Sequence, residues 1–167
     1  MMKMAAAATA IALLLAGCGG TANNTTASTS PAATTTVTIA GLTCDEYVDL
    51  ASPINGRVGE NMIQVLGTGT LFNEGSVSVD DFIAVLLTTS ERFSDNEEDW
   101  LGLRPPPPFE LFHEYAQQAV GKFSEGLTIA VLGLQTEDQA LLDESDAVFA
   151  EGAALLSQAG DAMPSSC

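Results

Sequence analysis

Glu110-Leu111-Phe112-His113 sets a carboxylate and an imidazole at the i, i+3 spacing that di-iron helix bundles use for ligation. That chemistry needs two such elements and two further glutamates. His113 is the only histidine in the 167 residues, so one chain cannot assemble the site, and no metal is expected there. His113 is expected instead beside an apolar stripe, bonded to a neighbouring helix. Nucleophilic catalysis is equally short of parts, because no Gly-x-Ser-x-Gly elbow accompanies that histidine. The run Asp95-Asn96-Glu97-Glu98-Asp99 has the acidity of a calcium loop. An EF-hand begun at Asp95 needs glycine at its sixth position and glutamate at its twelfth, and the chain has Trp100 and Pro106. Gly67-Thr68-Gly69 has no lysine and no helix start after it, so it is no phosphate loop. No catalytic residue, metal or cofactor is expected. The acidic run reads as a solvated helix face, and Trp100, at helical spacing from Phe93, as core.

The elements that would carry these residues are helices. Thr43-Cys44-Asp45-Glu46 has capping-box spacing, with Leu42 and Tyr47 as its hydrophobic staple. Ser78-Val79-Asp80-Asp81 repeats the entry chemistry with Val77 and Phe82, and Thr136-Glu137-Asp138-Gln139 does so again. Pro105–Pro108 form a stiff connector whose last proline suits a first helical turn. Apolar residues recur at threes and fours after each start. Phe82, Leu86, Phe93 and Trp100 mark the second helix. Phe109, Phe112, Ala116, Val120, Phe123, Leu127, Val131 and Leu134 mark the third, and Leu142, Phe149, Leu156 and Met163, widened by Leu141, Val148 and Leu155, the fourth. The first helix is weaker: Pro53, Gly56 and Gly59 predict a kink or break near Ser52–Gly56, and Gly67-Thr68-Gly69 predicts its end, with a loop of about ten residues before Ser78. No segment alternates with period two. Residues 42–167 therefore read as an all-α domain, an antiparallel up-down four-helix bundle.

Upstream of that domain, Lys3 precedes an apolar run, Ala5–Ala16, broken only by Thr9. Twelve residues make about 18 Å of helix, against a bilayer core of roughly 30 Å, so the run is too short to span. Leu15-Ala16-Gly17-Cys18 follows, then a polar low-complexity tract. These residues resemble a prokaryotic lipoprotein signal and its lipobox. The resemblance implies a signal peptide over residues 1–17 and a diacylglyceryl group on Cys18 as first residue of the mature protein. Two acyl chains give stable membrane attachment where one does not. Residues 18–41 would then hold the lipidated cysteine and a Thr/Ser/Ala-rich linker without charge or aromatic side chain, too polar to order itself. The overall pattern is similar to actinobacterial lipoproteins with a small helical extracytoplasmic domain. Cell-membrane anchorage on the outer side follows as an expectation.

With Cys18 lipidated, Cys44 and Cys167 remain. In an antiparallel four-helix bundle, the start of the first helix and the end of the fourth lie at one end. A Cys44–Cys167 disulfide is the expectation in an exported compartment, with free thiols or a metal pair as the alternative. Charge supplies the last constraint. The full chain carries −17; removing Lys3 leaves 22 acids against 4 bases, 4 − 22 = −18. Such a surface repels nucleic acid and anionic headgroups. Three functions stay open: a non-catalytic module that binds another envelope protein through its distal loop or an acidic helix face; a binder of a small ligand held in a cavity that glycines 121, 126, 133 and 152 could permit; and, disfavoured by the poverty of catalytic side chains, an enzyme.

Overall fold

The structure is a computed structural model that describes residues 41–167. The signal segment, Cys18 and the linker up to residue 40 lie outside the described residues. Four helices follow one another: α1 (Cys44–Asn73), α2 (Val79–Gly102), α3 (Glu110–Thr136) and α4 (Gln139–Ala162), with a 3-10 turn at Pro107–Phe109 before α3. No strand occurs among the described residues, and no described helix is long and apolar enough to cross a membrane.

Cap chemistry sets where the helices begin. The Thr43 hydroxyl accepts from the Glu46 N–H (3.3 Å), and the Glu46 carboxylate accepts from the Thr43 N–H (2.9 Å), a complete capping box. The backbone bond from Thr43, with help from its hydroxyl, holds the Glu46 carboxyl below its usual range. Ser78 accepts from the Asp81 N–H at 3.1 Å and starts α2 the same way. Leu42 and Val77 pack against the core that holds Tyr47 and Phe82, the positions of the two staples.

Three boundaries differ from expectation. First, α1 is not broken at Ser52–Gly56 but runs on as one 30-residue helix. Pro53 lies on its exposed side, so the carbonyl that loses its donor faces water, while Ala51, Ile54 and Val58 point inward. Second, α1 does not end at Gly67–Gly69. Phe72 stacks on Phe82 of α2 (ring centroids 4.9 Å) and Phe82 also touches Gly69, so tertiary packing overrides low glycine propensity. The helix stops at a Schellman turn, with Gly75 at φ +75° and Ser76 N–H donating to Leu71 C=O at 2.8 Å. The connection to α2 is Glu74–Ser78, shorter than the expected loop. Third, Thr136 is not the cap of α4. It still belongs to α3, where its hydroxyl donates to the Leu132 carbonyl (2.8 Å), and Asp138 caps instead by accepting from Ala140 N–H. Glu137 between them takes a left-handed conformation, φ 54°.

The helices pack antiparallel, each on the next. Ring and ion contacts pair Phe72 with Phe82, and Arg57 with Asp99, across α1–α2. Trp100 meets Phe112, and Phe93 meets Phe123, across α2–α3. α3 is the central helix: twelve of its 27 residues are buried, against seven of 30 in α1. Between α3 and α4 the backbones come close. A Cβ on Gly152 would lie 2.7 Å from the Phe123 ring, on Gly133 2.9 Å from Leu142, and on Gly126 3.2 Å from Phe149. The α4 seam is accordingly shifted from the expected one. Leu142, Ser145, Val148, Gly152 and Ala159 are buried, Phe149 and Leu156 are half-buried, and Met163 is exposed.

Candidate functional site

At the end of the bundle where α1 and α3 begin, Tyr47, Trp100, Phe109, Phe112 and His113 form one aromatic cluster. Tyr47 Oη and His113 Nδ1 are joined by a buried hydrogen bond of 3.1 Å, and Trp100 meets the imidazole nearly edge-on (centroids 5.3 Å). Burial lowers the His113 pKa, which favours the neutral ring, and raises that of Tyr47, which keeps the phenol protonated. No serine, cysteine or carboxylate is hydrogen-bonded to His113 among the described residues. The pair cross-links α1 to α3. Glu110, three residues before it, is exposed at the start of α3 and makes no hydrogen bond to it.

The two cysteines stand at this same end. Cys44 and Cys167 are in disulfide contact, their Cα atoms 6.1 Å apart, within the ordinary range for a bridge. The bridge joins the first turn of α1 to the residues after α4 and spans 123 positions of sequence.

The acidic run is not one cluster, because helical rotation sends its members to different neighbours. Asn96 is buried and its Oδ1 accepts from Arg57 Nε on α1 at 2.9 Å. Asp99 pairs with the same guanidinium. Glu97 lies against Gly121 of α3. Asp95 and Glu98 remain on the outer face of α2. There they continue a stripe that runs Leu87, Glu91, Asp95, Glu98, Leu101, all exposed at spacings of three and four. Leu87 and Leu101 are 47% and 63% exposed, two heptads or about 21 Å apart along the axis. Three of the four basic side chains among the described residues are already engaged: Arg57 with Asp99, Lys122 with Glu125 and Glu151, and Arg92 with Gln64. The carboxylates of the α2 stripe have no such partner.

Residues that periodicity passed over make up the other distinctive region. On α2 the inward seam is Phe82, Leu86, Thr89, Phe93, Asn96, Trp100, alternating steps of four and three. Thr89 Oγ1, Asn96 Nδ2 and Trp100 Nε1 are fully buried and make no hydrogen bond among the described residues. The heptad spacing of Thr89 and Asn96 carries the signal, which apolar periodicity does not register. The glycines proved separable as well. Gly126, Gly133 and Gly152 are filled by facing side chains and serve close packing, whereas Gly121 meets only a glutamate oxygen at 3.6 Å.

Comparison with known proteins places no relative beside this chain: no protein-family model, no curated protein and no solved structure matches it.

Proposed function

We propose that the chain is a lipid-anchored cell-envelope protein whose helical domain is a non-catalytic interaction module, held to the membrane through Cys18 and directed at a basic segment of another envelope protein. The observation that carries this reading is the outer face of α2, with three unpaired carboxylates bracketed by two exposed leucines. Carboxylates aligned on one rigid helix attract a basic partner from a distance, and flanking apolar side chains supply the short-range contact that charge alone lacks. Arg57 and Lys122 are paired with other carboxylates and Arg92 is bonded to Gln64, and among the described residues no ion pair reaches Glu91, Asp95 or Glu98.

Crosslinking in native cells tests it, with Cys18→Ala as the mislocalised control and Glu91→Lys/Asp95→Lys/Glu98→Lys as the charge-reversed form. The expected result is one dominant envelope protein, captured by the parent, lost in both variants and weakened by salt. Capture that survives charge reversal would remove α2 as the interface. If no protein is enriched over the control, the interaction-module reading fails.

A further inference from the structure

We infer that Asn96 and Trp100 form a buried two-donor site that binds one neutral acceptor oxygen between the helices. The orientation of Asn96 is set by chemistry. Arg57 Nε can only donate, so the amide oxygen must face it, and the Nδ2 donors are turned the other way. Trp100, one turn further along the same seam, can only donate through Nε1. Both groups are at most 1% exposed and neither has a hydrogen-bond partner among the described residues. The nearest polar pair, Tyr47 and His113, is engaged with itself.

Two donors from adjacent turns of one helix, without an acceptor, specify the ligand's chemistry. A cation is excluded because neither donor offers a lone pair. A carboxylate or phosphate is excluded because the one guanidinium nearby is already bound to Asp99, and a second buried negative charge would stand uncompensated. What fits is an uncharged oxygen, either an internal water or the carbonyl or hydroxyl of a small neutral molecule. The site does not depend on the proposed partner.

Trp100 is the only tryptophan in the chain, so its indole N–H gives a single resonance. Full-chain, 15N-labelled protein in detergent is examined for magnetisation transfer from water to that proton and for contacts to any copurified small molecule, with native mass spectrometry on the same sample. Transfer from water, lost or reduced at least twofold in Asn96→Leu, identifies water as the acceptor. A retained small molecule with contacts to the indole proton, absent from Asn96→Leu, identifies a ligand. An indole proton that contacts neither overturns the inference, and so does transfer that Asn96→Leu leaves unchanged. If Asn96→Leu does not fold, Asn96→Asp, which keeps the acceptor for Arg57 and removes the donors, takes its place.

Discussion

The α3–α4 seam and the α1–α2 seam are built on opposite plans within one bundle. Between α3 and α4, glycines and alanines let the backbones approach, large side chains from the facing helix fill the space, and the buried polar contact is complete: Ser145 Oγ donates to the Gly126 carbonyl at 2.9 Å. Between α1 and α2, aromatic and long side chains hold the helices apart, and polar groups enter the interior without full satisfaction. α1 also carries exposed Val48, Leu50, Ile63 and Leu71, and glycines 56 and 67 that touch nothing. One seam is close-packed and complete; the other is looser, and its α1 is tied covalently to the residues after α4. Close packing makes a helix pair intolerant of added volume. Loose packing makes it dependent on its tether.

Opening that tether is the largest expected effect. Cys44→Ser should cost about 4 kcal/mol, from the closure of so long a loop. Hydrogen exchange should show α1 amides losing protection well before those of α3 and α4; equal loss in all four helices would erase the distinction between seams. Glycine substitutions come next and should differ in sign. Gly152→Ala drives a methyl into the buried Phe123 ring and should cost about 1–3 kcal/mol, whereas Gly56→Ala, in open helix, should stabilise by about 0.5–1 kcal/mol. Denaturant midpoints decide, and matching signs would refute the contrast. Polar deletions sharpen it further. Ser145→Ala removes a buried hydrogen bond and should cost about 0.5–1.5 kcal/mol, while Thr89→Val removes an unpaired hydroxyl and should be neutral or stabilising.

The smallest effect is a dependence on pH. The folded His113 pKa lies below its ordinary 6.5, so the unfolded chain binds the proton more readily. This group's contribution is complete above about pH 6.5 and is lost as pH falls from there through the folded pKa. The difference between wild type and His113→Phe in Tm between pH 7.5 and 5 isolates the histidine. A constant difference would place His113 outside the titrating core.

Fold class and helix count were legible because a start signal, a cap residue or a proline, precedes each run of helical apolar spacing. Thr43 and Ser78 cap as their side chains dictate. Boundaries failed where a distant contact decided them. Nothing near Gly69 announces that Phe82, thirteen positions on, will lie against it. Thr136 has good capping chemistry, but α3 runs through it, its hydroxyl donates to the Leu132 carbonyl, and Asp138 takes the role. His113 could be placed at a helix boundary from its stripe, yet its partner Tyr47 is 66 positions away and belongs to the tertiary structure. The polar seam of α2 was hidden for a different reason. Thr89 and Asn96 occupy heptad positions, but a polar residue there raises no hydrophobic signal, and only burial reveals it.

The Cys44–Cys167 bridge also changes what a protease can accomplish. It makes the backbone between those residues a closed ring that contains every interhelical connection: Glu74–Ser78, the proline segment before α3, and Glu137–Asp138. One cut in any of them converts the ring into a permuted linear chain with its four helices still covalently joined. Two cuts are needed before any piece can diffuse away. A first nick at one of these connections therefore leaves the four helices joined, and loss of a helix depends on the square of a rare event rather than on the event itself.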